Sequence, residues 1–362
     1  MTAFANRIEA VQQTLAKHDK DALIVGPSRD LFYLIGYDAL PLERLTLLII
    51  PRTGMPTLVV PELEQERAEA FNASVYATVA TYTETDDPIA RVAAVLDGAA
   101  AITVQQHLFS RFTLALQQAL PHAKFTDATS MLAPLRLIKT VDELHRLKAV
   151  GKAIDTVHGH VSQWLKPGVT EHEAGRQIAN AILDTHDAVN FVIVASGPNG
   201  ASPHHELSDR KLCVGDAIVV DIGGTLNGYC SDETRNYVIG EPPAQYQEVH
   251  DTVLAAHAAA VAAVAPGVSA NDVDAAARQV ITEAGYGPYF IHRTGHGIGL
   301  EAHEEPWIVA GNDTILQSGM TFSIEPGIYL PGRFGVRIED IVAVTDSGVE
   351  LFNTTPRHFV TV

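Results

Sequence analysis

The stretch that decides the fold of the second half of the chain lies at residues 219–235 and reads VVDIGGTLNGYCSDETR. Asn227-Gly228 is the dipeptide favoured in two-residue hairpin turns, because both residues tolerate positive φ. A hairpin that turns there places Gly223 opposite Asp232. Since side chains alternate between the two faces of a strand, Asp221 and Asp232 then project from one face, with Cα atoms about 7–8 Å apart. That spacing suits two carboxylates that hold one or two cations between them, in space that Gly223 leaves open.

Asp221 ends the apolar run AIVVD, and a carboxylate in such a strand needs a physical reason. Burial of an ionised carboxylate is costly unless the group is paired, hydrogen-bonded or bound to a metal. A turn cap or a solvated position would account for Asp232 but not for Asp221. The pair therefore indicates a site that binds a cation.

The same half of the chain contains an internal repeat. LCVGDAIVVDIG at 212–223 aligns with LQSGMTFSIEPG at 316–327, so that an Asp of one segment falls on a Glu of the other. PGVT at 167–170 and PGVS at 266–269 are each followed by an acid three residues after the Thr or Ser, which is the pattern of a turn and a helix N-cap. Two similar halves are expected to pack about a pseudo-twofold axis, where the acids of both halves meet.

The second repeat adds charged residues to its strands. Glu325 follows the apolar run TFSI, and Arg337 and Glu339 belong to GVRIEDIV. If GVRIEDIV is one strand, Arg337 and Glu339 project from the same face and form a charged pocket. Carboxylates are hard oxygen ligands, whereas a histidine among them shifts the preference from magnesium or calcium towards manganese, cobalt, iron or zinc.

Histidines and glycines are concentrated in HRTGHGIGLEAHEEP, residues 292–306. His296 lies between two glycines, which allow the backbone to turn sharply and to approach a substrate closely. It is therefore the best candidate for a nitrogen ligand. His292 and His303 flank it and could act as acid, base or substrate contact, although each taken alone is more commonly a histidine without such a role.

The composition excludes several classes of protein. With 46% hydrophobic and 19% charged residues over 362 positions, the chain is typical of a globular protein of two domains. The net charge of −18 argues against a nucleic-acid partner, because phosphate binding depends on Lys and Arg. Two cysteines imply no disulfide framework. The N-terminus lacks the apolar core of a signal peptide, and the alanine-rich run 254–265 is too short to span a bilayer, so we expect a cytoplasmic protein without a membrane partner.

Residues 1–135 are expected to form a separate α/β domain. Apolar, β-branched runs alternate there with helical patterns, which favours a buried sheet flanked by helices. These runs are 22–26, 45–51 and 57–61. Thr140 followed by Glu143 is a capping-box pattern that begins a long amphipathic helix. The second domain is therefore expected to comprise residues 136–362.

These motifs resemble those of the "pita-bread" metallopeptidases of the M24 type, the superfamily of methionine aminopeptidase, aminopeptidase P and prolidase. DIGG, SDETR, GHGIG, SIEPG and VRIED match in order, over essentially residues 136–362. The resemblance implies an α+β pita-bread domain with an internal pseudo-twofold repeat. It also implies that the leading domain is creatinase-like, and methionine aminopeptidases lack such a domain. The implied ligands of two divalent metal ions per chain, expected to be manganese with cobalt or zinc as alternatives, are Asp221, Asp232, His296, Glu325 and Glu339.

The resemblance implies roles for other residues as well. ASPHHE and GLEAHEEP match the segments that carry the family's substrate-contacting histidines, and a further histidine, an arginine, a tyrosine and a threonine match positions around the ligands. His292 would help to position the substrate, and Arg337 would pair with the metal carboxylates. The full set of these residues is His204, His292, His303, Arg337, Tyr229 and Thr234.

Two positions depart from the family's pattern. Asn236 stands where a second Thr commonly follows, and Trp307 stands where many prolidases place an Arg that is thought to bind the carboxylate of a dipeptide. The carboxylate is then expected to be held from elsewhere, with Trp307 still near the substrate. In related two-domain enzymes the N-terminal domain of a dimer partner overhangs the active site. We therefore expect a homodimer in which Arg44 and Asp38, in GYDALPLERL, contact the substrate.

The function that the resemblance implies is hydrolysis of the bond before proline, in dipeptides with proline in second place. Asp232 and Glu339 would bridge two metals that activate water, His204 and His303 would stabilise the oxyanion, and Glu325 would carry a proton to the prolyl nitrogen. An aminopeptidase P that acts on longer peptides is the alternative, since its chemistry is identical. A creatinase-like metal-free hydrolase and a non-catalytic binding module would lack the complete ligand set, and a lyase on the same scaffold is not excluded by the ligands.

Overall fold

A computed structural model describes residues 3–362 and separates the chain into two units of packing, Met1–Arg136 and Leu137–Val362. The first unit contains a six-stranded sheet in the order β4-β3-β2-β1-β5-β6, in which β1 pairs antiparallel with β2 and parallel with β5. Its strands are β1 Ala22–Val25, β2 Leu47–Pro51, β3 Thr57–Pro61, β4 Thr78–Tyr82, β5 Ala101–Val104 and β6 Lys124–Asp127. Its helices are α1 Ala3–Lys17, α2 Arg29–Ile35, α3 Gln65–Ala70, α4 Pro88–Val95, α5 Ser110–Ala119 and α6 Thr129–Leu137, which ends at the boundary.

The three strands predicted in the first unit are confirmed as β1, β2 and β3. Each is almost wholly buried, because helices cover the apolar sheet and contribute residues such as Val92 and Leu116 to its core. Ser28 caps α2 by accepting from the Leu31 amide, which satisfies one of the amides that a helix start leaves free.

The second unit has two five-stranded sheets and a two-stranded ribbon. The first sheet has the order β18-β10-β8-β7 with β9 paired to β8, the second has the order β12-β11-β13-β16-β17, and β14 pairs with β15. The strands are β7 Ala188–Ser196, β8 Ala217–Leu226, β9 Tyr229–Cys230, β10 Glu233–Val238, β11 Gly295–Gly297, β12 Glu304–Ile308, β13 Thr321–Ile324, β14 Gly327–Leu330, β15 Phe334–Arg337, β16 Asp340–Thr345, β17 Gly348–Leu351 and β18 Val360–Thr361. The helices are α7 Val141–Val161, α8 Glu171–Leu183, α9 Tyr246–Ala263 and α10 Ala270–Glu283.

Each sheet of the second unit packs against one pair of helices. Helices α7 and α8 share a core with β8, to which Val220 and Ile222 contribute, while α9 and α10 share a core with β13 and β16. Because side chains alternate along β8, Asp221 faces away from α7 and α8. The fold thus turns this carboxylate towards the interior between the two sheets.

The internal repeat is visible in the backbone hydrogen bonds. In the first half, the Gly168 amide donates to the Leu212 carbonyl, at 2.8 Å. In the second half, the Gly267 amide donates to the Leu316 carbonyl, at 2.9 Å. The capping box at Thr140 is confirmed, and so are the predicted helix caps that follow the two PGV turns.

The predicted hairpin register is confirmed, since Leu226 pairs with Tyr229 and Asp221 with Thr234. Asn227 and Gly228 have φ values of 52° and 84°, as a turn matched to the twist of the strands requires. The expectation that Gly223 leaves open space is wrong. A Cβ there would lie 2.5 Å from the Phe191 ring, so the glycine admits Phe191 instead.

The expectation that GVRIEDIV forms one strand is also wrong. Strand β15 ends at Arg337 and pairs with β14, whereas β16 begins at Asp340 and pairs with β13 and β17. Ile338 and Glu339 lie between them. The backbone changes sheets at this point because the two strands have different partners. In the part of the chain from residue 3 onwards, no helix has the length and hydropathy needed to cross a bilayer.

Candidate active site

The second unit contains a cavity of about 310 Å³ in which most of the predicted functional side chains meet. Nine of the predicted residues line it, and four others complete the wall. The predicted residues are His204, Asp221, Asp232, His292, His296, His303, Glu325, Arg337 and Glu339. The others are Phe191, Ile193, Pro203 and Arg293. Both halves of the repeat therefore contribute to one site.

The five predicted metal ligands form two overlapping groups whose ligand atoms lie within 4.8 Å of one another. The first group is Asp221, Asp232 and Glu339, and the second is His296, Glu325 and Glu339. Glu339 belongs to both groups. Such a set can hold two cations with one shared carboxylate, and its oxygen and nitrogen donors suit a divalent transition metal.

The ligand carboxylates destabilise one another when no cation is present. Burial and the neighbouring carboxylates raise the pKa of Asp232 and of Glu339 well above their ordinary values. Burial, followed by the charge of Asp221, raises the pKa of Glu325 to about 7 although Arg337 opposes this. Asp221 Oδ1 is buried without a hydrogen-bond partner. A bound cation would relieve both the repulsion and the unsatisfied oxygen, so the residues fit a metal centre.

His296 has the protonation state of a metal ligand. Burial, followed by the neighbouring His303, lowers its pKa to about 3, so its ring is neutral. Nδ1 lies 3.1 Å from the Gly297 carbonyl, which can only accept, so Nδ1 carries the proton. The lone pair of Nε2 then points at Glu325 Oε1, 3.3 Å away. Two electron-rich atoms at that distance favour a cation between them.

Glu339 is held by its neighbour in the hairpin. Thr234 Oγ1 donates to Glu339 Oε2 at 2.7 Å, as the resemblance implied. The Tyr229 hydroxyl donates to Glu143 Oε1 at 3.0 Å, and its expected role around the ligands stays a prediction. Asn236, which departs from the family's pattern, donates through Nδ2 to the Arg337 carbonyl at 2.6 Å and so still supports the site.

Arg337 connects Asp221 to His292 by way of Tyr329, a residue that the sequence did not indicate. Arg337 Nη2 donates to Asp221 Oδ2 at 2.6 Å, and Nη1 donates to the Tyr329 hydroxyl at 2.9 Å. Burial, followed by the charge of Arg337, lowers the pKa of His292 to about 4, and its Nδ1 donates to the Arg293 carbonyl. His292 Nε2 therefore accepts from the Tyr329 hydroxyl, at 2.8 Å. Both ring nitrogens of His292 are engaged within the protein, and its expected contact with substrate stays a prediction.

The two histidines expected to contact substrate are the exposed members of the site. The His303 ring lies 4.0 Å from the His296 ring, centre to centre, and His303 forms a third group of close ligand atoms with Asp232 and His296. His204 follows Pro203, whose carbonyl accepts from Arg337 Nη1 at 3.4 Å. Both imidazoles thus reach the cavity from its open side.

Arg293 is a cavity residue that the sequence analysis missed. The carbon at the centre of its guanidinium lies 4.2 Å from the centre of the Trp307 ring, which is a favourable cation–π geometry. Trp307 itself stands opposite His296 in the pairing of β11 with β12. The departure at Trp307 therefore supplies an aromatic platform for a nearby arginine. Only the position of Arg293 in the histidine-rich motif could have indicated this.

Arg44 and Asp38 belong to the first unit. Arg44 Nε donates to Glu84 Oε1 at 2.8 Å, and Asp38 Oδ1 accepts from Arg29 Nη1 at 3.3 Å. Arg44 therefore already has a carboxylate partner within its own unit. Its contact with a substrate stays a prediction.

Two family models match the chain. The model of metallopeptidase family M24 matches residues 145–346, and the Creatinase/Prolidase N-terminal domain matches residues 7–138. The chain is 47% identical to the probable dipeptidase PepE of Mycobacterium tuberculosis, over 99% of this chain and 96% of that protein. It is 35% identical to the Xaa-Pro dipeptidase of Lactobacillus helveticus, over 97% of each.

A solved structure of prolidase from Thermococcus sibiricus superimposes with a TM-score of 0.95, at 36% identity and with complete coverage of both chains. The expected fold, a creatinase-like α/β domain followed by a pita-bread domain, is thereby confirmed.

Proposed function

Because this chain belongs to metallopeptidase family M24, we propose that it hydrolyses the bond before proline in Xaa-Pro dipeptides with the help of two divalent cations. The observation that carries this proposal is the pair of ligand groups that share Glu339 in one cavity. A site of this kind is suited to hydrolysis, because two adjacent cations can stabilise both the attacking and the leaving atoms.

The proposed ligands are the five residues of the two groups: Asp221, Asp232, His296, Glu325 and Glu339. We propose manganese as the native ion, because the set combines several hard oxygens with one imidazole, and cobalt or zinc would also suit it. When bound, the ions would supply Lewis acidity that makes water a nucleophile near neutral pH.

The chain's own side chains would orient and protonate the reacting groups. His204 and His303, on the open side of the cavity, would donate to the carbonyl oxygen as it gains negative charge. Glu325, whose Oε1 accepts from Ser323 Oγ at 3.1 Å, would take a proton and pass it to the prolyl nitrogen, which must be protonated to leave. Arg337 would hold Asp221 in place during the reaction, because its guanidinium is buried and donates to the Asp221 carboxylate.

The preference for dipeptides is supported by Arg293. A dipeptide carries a free carboxylate directly after the scissile bond, whereas a longer peptide carries an amide there. Arg293 lines the cavity, and among the described residues no carboxylate forms an ion pair with it. Its guanidinium stacks on the Trp307 ring. A guanidinium can bind a carboxylate through two parallel hydrogen bonds. The dipeptidase names of similar proteins agree with this preference, and aminopeptidase P activity remains the second candidate.

The proposal also includes a cytoplasmic homodimer. Cys213 and Cys230 are both free thiols, as expected of a protein from a reducing compartment. Light scattering would measure the oligomer, and elemental analysis of protein purified without added metal would identify the ion.

Product analysis is the test of the function. The metal-loaded enzyme is incubated with Ala-Pro, Ala-Pro-Ala and Ala-Ala, and released amino acids are quantified. We expect release of alanine and proline from Ala-Pro, slower cleavage of Ala-Pro-Ala, and little action on Ala-Ala. Faster cleavage of Ala-Pro-Ala would establish the aminopeptidase instead, and equal cleavage of Ala-Ala would refute specificity for proline.

A further inference from the structure

Glu171 is a fully buried carboxylate outside the cavity. It is the first residue of α8, and both of its oxygens are crowded with donors. Oε1 accepts from the Ser196 amide at 2.9 Å and from Ser196 Oγ at 2.6 Å, and it also accepts from Asn199 Nδ2 at 3.0 Å. Oε2 accepts from His205 Nε2 at 2.7 Å and from Ser208 Oγ at 2.6 Å.

All of these donors belong to one segment, residues 196–208, which begins at the last residue of β7 and is otherwise irregular apart from the short turn of 3₁₀ helix at Gly197–Ala201. The segment contains Pro203 and His204, which line the cavity. An irregular segment has few backbone hydrogen bonds of its own and depends on side chains to fix its course. Glu171 binds it on both sides of His204, at Ser196 and Asn199 before it and at His205 and Ser208 after it.

The hydrogen bonds keep Glu171 ionised. Burial alone would raise the pKa of this carboxyl, but the donors from Ser196, Ser208 and His205 lower it below the ordinary value. The position at the first turn of α8 also favours a negative charge, because the free amides at a helix start are partly positive. An ionised carboxylate accepts four or more hydrogen bonds, whereas an amide offers one oxygen and adds two donors.

We propose that Glu171 is a positioning residue for the reaction, which fixes segment 196–208 so that His204 is presented to the substrate carbonyl. His205 is the direct link, since it is bonded to Glu171 and adjacent in the chain to His204. This inference rests on the proposed role of His204 in hydrolysis, but the anchoring of the segment stands on the hydrogen bonds alone. Glu171 itself does not touch the reacting atoms.

The test replaces Glu171 by Gln in the wild-type and the His204→Ala backgrounds, with Glu173→Gln as the matched control. Glu173 lies on the same helical turn, but it is exposed and bonds only to Thr170. We expect Glu171→Gln to lower kcat for Ala-Pro about 10- to 100-fold, since a shift of about 1 Å in a reacting group can cost that much. In the His204→Ala background the further loss should be less than about twofold, because Glu171 acts through His204. Metal content should not change, and Glu173→Gln should have wild-type kcat.

A second pair of variants tests the link through His205. His205→Gln keeps a nitrogen donor near the place of Nε2 and should retain most activity, whereas His205→Leu should lose as much as Glu171→Gln. Hydrogen exchange supplies a readout that needs no substrate. In Glu171→Gln the amides of 196–208 should exchange faster, while those of β8 should not change.

The outcomes separate the two proposals. If wild type does not cleave Ala-Pro, the proposed function fails, and the exchange result still decides whether Glu171 anchors the segment. Equal losses in both backgrounds, unchanged exchange in 196–208, or equal activity of the two His205 variants would each overturn the positioning role.

Discussion

Arg235 and Asp340 occupy equivalent places in the two halves of the second unit, and they bind each other. Arg235 stands opposite Val220 in one sheet, Asp340 stands opposite Ile324 in the other, and Val220 and Ile324 are equivalent in the repeat. Arg235 Nη2 lies 2.7 Å from Asp340 Oδ1, and both side chains are buried. Residues related by a twofold axis can meet only near that axis. The pseudo-twofold axis therefore passes between these two residues.

The residues that precede Arg235 and Asp340 in the chain mark the same axis. Thr234 stands opposite Asp221, and by the same register Glu339 is its equivalent. Thr234 donates to Glu339 at 2.7 Å. The axis thus passes between Thr234 and Glu339, close to the carboxylate that both proposed ligand groups share. Arg235 also fixes the backbone of Glu339, since its Nη1 donates to the Glu339 carbonyl.

Replacement of Arg235 by Met should destabilise the protein by about 3–5 kcal/mol, because it leaves buried acids without their main partner. In the wild-type protein the nearby charge of Arg235 holds the pKa of Asp340 well below its ordinary value despite burial, so the variant removes the strongest stabilisation of this ionised acid. Denaturant unfolding measures the change, with Arg176→Met, on the exposed face of α8, as control. A loss below about 1 kcal/mol would show that the pair is not needed for stability.

Asp232→Ala and Glu339→Ala should each lose both metal ions, because Glu339 is common to the two groups and Asp232 belongs to the first group and to the third one with His296 and His303. Elemental analysis of the purified variants measures the content, and the exposed Asp209→Ala serves as control. Two ions per chain in either variant would contradict the ligand assignment.

His204→Ala and His303→Ala should retain metal and lose about 10²–10³-fold in kcat, as is typical when a donor to an oxyanion is removed. Steady-state kinetics on Ala-Pro together with metal content checks this. Because His303 lies so close to His296, loss of an ion in His303→Ala would instead identify it as a ligand. Near wild-type turnover in both variants would refute their roles.

Arg293→Ala should lower kcat/KM for Ala-Pro about 10- to 100-fold, because one charged hydrogen bond contributes about 1.5–3 kcal/mol. The value of kcat/KM for Ala-Pro-Ala should stay nearly unchanged. The comparison variant is Arg44→Ala, which tests the alternative clamp from the first unit. A selective loss in Arg44→Ala alone would assign the carboxylate to Arg44. Equal effects of each variant on both substrates would exclude a carboxylate clamp at either residue.

His250 should make the protein acid-sensitive. Burial lowers the pKa of this histidine, which packs between Tyr246 and Phe359, to about 4. The unfolded chain then binds a proton near pH 6.5 while the folded chain does not, so stability is lost as pH falls from about 6.5 to about 4. This amounts to on the order of 3 kcal/mol. His250→Phe should remove that part of the loss, and His145→Phe, at an exposed site on α7, should not. Parallel pH profiles of unfolding in wild type and His250→Phe would contradict this.

Local patterns predicted the local structure of this protein. The turn at Asn227-Gly228 fixed the register that brings Asp221 and Asp232 to one face, because a hairpin connects neighbours in the chain. Capping boxes and β-branched runs located helices and strands for the same reason. The proposed ligands could be named from motifs, because each lies in a short segment with a recognisable neighbour pattern.

Contacts between distant segments were not predictable in this way. No spacing relates Tyr329 to His292, or Glu171 to His205, because these pairs form only when the sheets and helices pack. The division of GVRIEDIV between two sheets was missed because Arg337 and Glu339 alternate as in a single strand. Likewise, Trp307 suggested a missing arginine, whereas the stacked Arg293 became visible only in three dimensions.

The overlap of the ligand groups at Glu339 has a consequence for electroneutrality. When bound ions keep all four proposed ligand carboxylates ionised, these face two positive groups in the cavity, Arg337 and Arg293, and a neutral His296, so the protein groups sum to two negative charges. One divalent ion would then make the centre neutral, while two would make it cationic by two units. Only the doubly loaded centre would therefore attract anions. Phosphate or a free amino-acid carboxylate should compete with substrate only when both positions are filled.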